Sequence, residues 1–398
     1  MERAIVHMDL DTFFVSCERL ENSQLVGIPL IIGGGDRGVV ASCSYEARTF
    51  GVRSAMPIKM ALRLCPQAKV LKGDMERYSQ LSHTVTQVIE DKAPVMEKAS
   101  IDEFYLDITG MDKFYGSYQW TSELAQTITR ETGLPISFAL SINKTVSKIA
   151  TGEGKPKGNL EIPANLVQPF LNPLSVKKIP MVGDVTFQLL SRIGIRTIET
   201  LSQMPMEVLQ RMIGKNGIEL WKKANGIDNN PVEPYTERKS ISTEDTFSQD
   251  TIDIPKLKSV LIGMVEKLGF QLRSEQWLTS TVVVKIRYSN FDTETKQCRI
   301  PYTSADHVLT RTVMDLFDKV YQRRMRLRLI GVRFSGLVRG NYQINLFEDT
   351  EEMVSLYQAM DRMKSRYGFD AVMRCAGASF KPNTKDEILK RPPKRLND

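Results

Sequence analysis

The chain has few of the residues that most often carry recognisable chemistry. Among its 398 residues are five cysteines and three histidines. Cys17, Cys43, Cys65, Cys298 and Cys375 contain no close pair at zinc-ligand spacing. They fit the reduced thiols of a cytosolic protein rather than a disulfide framework. His7, His83 and His307 are scattered, so packing or exposure accounts for them better than ligation or acid–base work. No apolar run reaches membrane-spanning length, so no transmembrane helix and no membrane partner are expected. No apolar stretch follows Met1–Ile5, so no signal peptide is expected. The triplet Gly33-Gly34-Gly35 lacks both P-loop and Rossmann spacing and reads as a hairpin turn. A cytoplasmic protein is the expectation.

What is present is an ordinary globular composition, 41% hydrophobic and 25% charged. Its length predicts more than one domain. The formal net charge is +7, which favours a polyanionic partner without requiring one. Much of the excess is local. Lys319 to Arg328 contains Arg323, Arg324 and Arg326, and Arg333 and Arg339 follow. A solvated helix face and strand end would account for that run as well as nucleic acid does.

Two acidic segments stand out. One is Met-Asp-Leu-Asp-Thr-Phe-Phe at 8–14; the other is Ser-Ile-Asp-Glu at 100–103. Both sit in strand-like surroundings. Carboxylates at strand ends suit magnesium, which takes oxygen ligands and shares itself with substrate phosphates. A pair of such ions can clamp the attacking and leaving oxygens of a phosphoryl transfer. Period-two patterning puts Ile5, His7, Asp9 and Asp11 on one face, so spacing alone cannot choose between Asp9 and Asp11. Asp102 and Glu103 are adjacent and would point to opposite faces of a regular strand. They can share a metal only at a turn or bulge.

Patterning predicts a helix over 76–91 on the stripe Leu81, Val85, Val88, Ile89. It predicts a hairpin over 95–108 with Ser-Ile-Asp-Glu at its tip. Another helix follows over 117–131 on Trp120, Leu124 and Ile128. A strand over 136–140 leads into a helix starting near Ser141. This βαββαβ-like order predicts an α+β sandwich with helices on one face. Residues 166–234 read as short helices with glycine turns at Gly183, Gly194 and around Lys215, the first resembling a helix-hairpin-helix. Such turns can offer backbone N–H groups to DNA phosphates, though they can also be plain connections. Pro231 to Arg238 reads as a linker. A separate α+β domain follows, then a helix over 351–367 with Leu356, Met360 and Met363 as its stripe, then a basic tail from Lys381.

With these motifs in place the chain resembles the Y-family translesion DNA polymerases, most closely the DNA polymerase IV or DinB-type branch. Supporting motifs are Ser-Tyr-Glu-Ala-Arg-Thr-Phe-Gly-Val at 44–52, Gly-Lys-Pro-Lys-Gly at 154–158, Ala-Asn-Gly-Ile-Asp at 224–228, Lys-Ser-Ile-Ser-Thr-Glu at 239–244 and Ile-Gly-Val-Arg-Phe-Ser at 330–335. The resemblance implies an α+β, multidomain right hand. Its palm would be 1–20 and 74–165, its fingers 21–73, its helical thumb 166–234, its linker 235–239 and its α+β little finger 240–345, with a clamp-motif end, helix and tail over 346–398. It implies that Asp9, Asp102 and Glu103, with the Leu10 carbonyl, hold two Mg²⁺ ions, and that Asp11 is structural. Phe13, Tyr45, Arg48 and Lys155 would bind the nucleotide, and Phe14 would be the sugar steric gate. Gly183, Gly194, Lys215 and Arg333 would contact DNA. Small roof residues such as Ala41, with Cys43 among them, would leave the templating base loosely held. No carboxylate set for a proofreading exonuclease is found.

Two departures from the family pattern are visible. The thumb turn reads Pro180-Met181-Val182-Gly183 where the family usually has Gly-x-Gly. The peptide Gln343-Ile344-Asn345-Leu346-Phe347 resembles a sliding-clamp-binding motif, yet it precedes a helix whose end, Arg366-Tyr367-Gly368, resembles the UmuC branch. The implied function is DNA-templated DNA synthesis at damaged sites by a monomer using dNTPs, primer–template DNA and a sliding clamp. The runner-up is a non-catalytic adaptor of the same fold that binds clamp and DNA. Intact metal, phosphate and gate residues argue against it.

Overall fold

A computed structural model of the chain describes residues 2–35, 37–111, 116–340 and 351–377. The chain divides into two units, Met1–Thr236 and Glu237–Asp398.

The first unit begins with β1 (Ile5–Leu10) and α1 (Phe13–Glu21). Next come β2 (Leu30–Gly33), β3 (Val40–Cys43), α2 (Tyr45–Thr49), α3 (Ile58–Leu64) and β4 (Lys69–Leu71). These three strands form a small sheet in the order β3-β2-β4. The chain then returns through α4 (Met75–Glu90), β5 (Met96–Lys98), β6 (Glu103–Asp107), α5 (Ser117–Thr132), β7 (Ile136–Ser141), α6 (Lys144–Gly154) and β8 (Asn159–Ile162). The large sheet runs β5-β6-β1-β7-β8, with β1 antiparallel to both neighbours.

Alternation along β1 and β7 decides the layers. Val6, Met8, Leu10, Phe138 and Leu140 pack against Tyr78, Val85 and Ile89 of α4 and Leu124 and Ile128 of α5. The opposite face meets α6, where Ala139 touches the cluster of Val146, Ile149 and Ala150. Helices therefore cover both faces, which corrects the one-sided sandwich expected from element order. The reason is chemical. Ser137, Ala139 and Ser141 on β7 are small, so α6 approaches closely and bonds into β1. The Ser147 hydroxyl donates to Ile5 O (2.7 Å) and the Thr151 hydroxyl to His7 O (3.1 Å). The start of α6 also moves. The strand continues through Ser141, and the helix begins at Lys144 because Asn143 Oδ1 accepts from the Val146 N–H (3.0 Å).

The rest of this unit is helical: α7 (Val167–Leu171), α8 (Asp184–Arg192), α9 (Ile198–Ser202), α10 (Met206–Ile213) and α11 (Lys215–Ala224). Leu190, Ile195, Ile198, Leu201, Leu209 and Leu220 form its buried interior. Met181 answers the missing thumb glycine. Its backbone is left-handed, φ +87°, a conformation glycine adopts freely and methionine does not. The turn keeps the glycine-like shape without the glycine.

The second unit contains β9 (Ser240–Thr251), α12 (Ile254–Ser274), β10 (Trp277–Tyr288), β11 (Thr293–Thr303), α13 (Asp306–Val320), β12 (Leu327–Arg339) and α14 (Glu351–Tyr367). Its antiparallel sheet has the order β11-β10-β12-β9. Val282, Val284 and Ile286 of β10 and Phe334 of β12 meet Leu261 and Val265 of α12 and Leu309 and Val313 of α13.

The helix α14 forms where patterning predicts it but buries a different stripe. Leu356 and Met363 are exposed, at 56% and 44%, while Tyr357 and Lys364 are buried. Polar anchors turn the helix. The buried Arg273 guanidinium donates to both oxygens of Asp361 (2.6 and 2.9 Å) and to Asp306 Oδ1 (2.6 Å). The Tyr357 ring stacks on His307, with centroids 6.2 Å apart. Leaving Arg273 and Asp306 short of a partner in the interior costs more than exposing two apolar side chains.

Candidate active site

Asp9 and Glu103 face each other across β1 and β6 as register partners. Directly opposed residues project to the same side of a sheet. Asp102 joins them because it is not in the strand at all. It lies in the turn before β6, and Ser100 sets that turn. Ser100 Oγ accepts from the N–H groups of Asp102 (3.2 Å) and Glu103 (3.1 Å) and donates to Asp102 Oδ1 (2.5 Å). Leu10 N–H donates to Asp102 O (3.0 Å), tying the turn to β1. Two adjacent carboxylates thus reach one region without a bulge.

Each member of the acidic group meets a cation or a neutral donor. Lys155 Nζ pairs with Asp9, and Lys148 Nζ with Glu103 Oε2 (2.6 Å). Burial nevertheless pushes the Asp9 carboxyl up to about 6; Lys155 opposes this, while Asp102 and Glu103 add to it. Crowded anions of this kind call for an additional cation. The donors are all hard oxygens, a set that suits Mg²⁺. Among the described residues, no three Asp, Glu, His or Cys side chains already stand grouped around one point. The lysines draw Asp9 and Glu103 toward themselves.

Asp11 is separated from this group by its bonding. It is fully buried and accepts from the Ser137 hydroxyl (2.9 Å), the Lys157 N–H (2.7 Å) and the Tyr45 hydroxyl (3.4 Å). Its oxygens are engaged by these donors, whereas Asp9 pairs with Lys155. Lys157 belongs to the Gly154–Gly158 turn. A side chain on Gly158 would put its Cβ 1.9 Å from Gly154 O, so only glycine closes this turn.

A pocket opens above the carboxylates. Asp9, Leu10, Asp102 and Lys155 form its floor; Phe13, Phe14 and Arg48 line it together with Thr12, Ala41, Ser42 and Ser54. Phe14 stacks on Tyr78, centroids 4.5 Å apart and 15° between planes, and the Tyr78 hydroxyl donates to Glu18 (2.5 Å). Arg48 lies 5.0 Å over the Tyr45 ring. Tyr45 and Glu103 touch this group but do not line the pocket. Cys43 is not a roof residue: it is fully buried with Ile31, Val40 and Ala47, on the other side of its strand from Ser42. Thr12, Ser42, Ser54 and Lys148 are additions that patterning missed. Alternation would have put Ser42 on the face opposite Ala41; both line the pocket where the pairing register slips between Val40 and Ser42. Lys148 could have been found from its seven-residue spacing, two helical turns, before Lys155.

His7 is buried at 1% exposure, its ring tilted 57° against that of Tyr105 with centroids 4.7 Å apart, and neither ring nitrogen has a hydrogen-bond partner. Burial, with help from Lys148 and Lys155, holds its pKa well below the ordinary 6.5. It is neutral packing, and His83 is exposed. Gly183, Gly194 and Lys215 lie on exposed turns at helix ends, apart from the pocket walls, with Gly194 at φ +84°. Arg333 is exposed on β12 of the second unit. Gln343, Leu346 and Phe347 lie outside the described residues, as does the basic tail.

The chain matches known protein families over most of its length. The model described as the impB/mucB/samB family matches residues 8–152, and that of its C-terminal domain matches 238–346. A model described as the DNA polymerase-iota thumb domain matches 177–228. DNA polymerase IV of Dehalococcoides mccartyi is 36% identical over 375 residues, covering 93% of this chain and 96% of the relative. DNA polymerase IV of Listeria innocua is 37% identical over 339 residues, covering 84% and 95%. Among solved structures, a Y-family DNA polymerase chimera aligns with a TM-score of 0.74 at 25% identity, over 85% of this chain and 100% of the other. The insertion ternary complex of Dbh DNA polymerase aligns with a TM-score of 0.62 at 25% identity and the same coverage. The fold and site are those of a metal-dependent nucleotidyltransferase acting on DNA. The chain belongs to the Y family of DNA polymerases, in the company of the DNA polymerase IV proteins, and is a translesion DNA polymerase.

Proposed function

We propose that Asp9, Asp102, Glu103 and the Leu10 carbonyl hold two Mg²⁺ ions, and that this pocket adds a dNTP to a primer 3′-hydroxyl. The hydroxyl gives up its proton to solvent, its oxygen bonds to the α-phosphorus, the bond to the bridging oxygen breaks, and pyrophosphate leaves. Bound magnesium supplies charge neutralisation at the attacking and leaving oxygens. The chain's own residues position the rest. Arg48 and Lys155 bind the triphosphate, Arg as a planar fork and Lys as a point charge, with Tyr45 beside them. Lys155 leaves Asp9 for the phosphates when the nucleotide enters. Phe13 and Phe14 pack against the sugar, and Phe14, braced by Tyr78, leaves no room for a 2′-hydroxyl. Ala41, Ser42 and Ser54 are small and hold the base loosely, which admits damaged templates and sacrifices fidelity.

The observation that carries this reading is the meeting of Asp9, Asp102, Lys155, Arg48 and Phe14 in one pocket. An adaptor needs no such pocket. Primer–template DNA would be held by phosphate contacts at Gly183, Gly194, Lys215 and Arg333. The peptide at Gln343, Leu346 and Phe347 would tether a monomeric, cytoplasmic enzyme to a sliding clamp. All five cysteines are free thiols and, among the described residues, no helix is long and apolar enough to cross a membrane.

One primer-extension experiment with Mg²⁺ and dNTPs, run with and without a loaded clamp, tests both parts. The wild type extends the primer, and the clamp increases product length. Replacing Gln343, Leu346 and Phe347 by alanine removes only the clamp effect, because tethering raises effective concentration without touching chemistry. No extension by the wild type would favour the adaptor. Undiminished stimulation of the triple variant would rule out the clamp peptide.

A further inference from the structure

One end of the four-stranded sheet carries side chains that DNA synthesis leaves without a role. β10 turns into β11 through Ser289, Asn290, Phe291 and Asp292. Phe291 N–H donates to Tyr288 O (3.0 Å) and Tyr288 N–H to Asp292 O (2.9 Å). Phe291 holds the left-handed position of this loop, φ +70°, and is 62% exposed. That position in a short hairpin loop suits glycine or asparagine. A bulky aromatic side chain there is strained, and at this exposure it regains little packing energy. Strain of this kind points toward function.

The surroundings indicate which function. Arg328 places its guanidinium 4.6 Å from the centre of the Phe291 ring, covering one face. The basic run seen in the sequence gathers here. Ser289 N–H donates to Arg326 O (3.0 Å), and Arg323 pairs with Asp292 (2.9 Å), so the run is fastened to the hairpin. Arg323 also reaches Glu294 (3.2 Å) and is thereby neutralised. Arg324, Arg326 and Arg328 have no carboxylate partner among the described residues. The patch is an exposed flat ring backed by a guanidinium and rimmed with uncompensated positive charge.

We propose that Phe291, with Arg328 and the strap leading to it, is a stacking site for an unpaired DNA base. Aromatic rings bind single strands by base stacking while adjacent cations follow the phosphates. A duplex offers the phosphates but keeps its bases stacked inside, so it has no use for the ring. The site rests on the reading of the chain as a DNA polymerase and adds a preference for single-stranded DNA.

The test uses the full chain and fluorescence anisotropy on three probes: a blunt duplex, the same duplex with a 5′ template overhang, and the overhang as a free strand. Phe291→Gly removes the ring and suits the backbone, so its thermal midpoint stays level or rises. It binds the free strand at least about fivefold more weakly and loses the affinity that the overhang adds, whereas Phe291→Trp retains both. Blunt-duplex affinity is the internal reference. Equal binding of single-stranded probes by wild type and Phe291→Gly would overturn the site and leave the polymerase reading intact. An equal loss on all three probes, with a lowered thermal midpoint, would show that the ring is structural and would also overturn it. Failure of the wild type to bind any probe would count against the polymerase reading itself.

Discussion

At the scale of single residues, the site is a set of carboxylates each held by its own partner. Lys155 holds Asp9, Lys148 holds Glu103, and Ser100 holds Asp102. The role proposed for Phe14 is different, exclusion of a 2′-hydroxyl. Stacked on Tyr78, it cannot easily turn aside. Phe14→Ala is predicted to raise ribonucleotide incorporation by about two orders of magnitude or more and to change dNTP use much less, because removing a clash mainly helps the excluded substrate. Unchanged discrimination in a competition assay would show that Phe14 is only packing. His7 yields a pH prediction. Its folded pKa lies below the unfolded value of about 6.5, so the unfolded chain takes up a proton that the folded chain refuses. This term is silent above that pH. Below it, stability falls by up to about 1.4 kcal/mol per pH unit. His7→Phe is predicted to remove that part of the slope in urea unfolding between about pH 6.5 and 5. Identical slopes for the two proteins would refute it.

At the scale of elements, much of the fold was legible. Helix, hairpin and strand positions around 76–141 follow apolar spacing, and the structure departs from them by a few residues. What spacing could not show was set by contacts distant in sequence. Asp9 and Asp11 share a face, and only Ser137 and Lys157, far along the chain, separate their roles. The buried side of α14 was misread because its anchor, Arg273, lies on α12. An apolar stripe is a sound guide only where no buried charge competes for the helix. This gives a prediction about the second unit. Arg273→Met strands Asp306, which is fully buried, and frees Asp361. The unit is predicted to lose about 3–5 kcal/mol in urea unfolding, the usual result of removing one partner from a buried pair. A loss below about 1 kcal/mol would mean that α14 is held by apolar contact after all.

At the scale of the whole molecule, the chain joins a catalytic unit to a second α+β unit bearing exposed basic residues. In the proposed reading the first supplies carboxylates, phosphate-binding cations and a gate, and DNA affinity comes mostly from phosphate contacts made elsewhere. Asp9 and Glu103 are proposed to hold the metals and to serve chemistry, not DNA binding. Losing either removes stabilisation of transition-state charge. The direct measurement is single-turnover dNTP addition by Asp9→Ala and Glu103→Ala, alongside primer–template affinity of the same proteins. The account predicts that addition falls by at least about a thousandfold while affinity stays within about threefold of wild type. Near wild-type addition by either variant would contradict it.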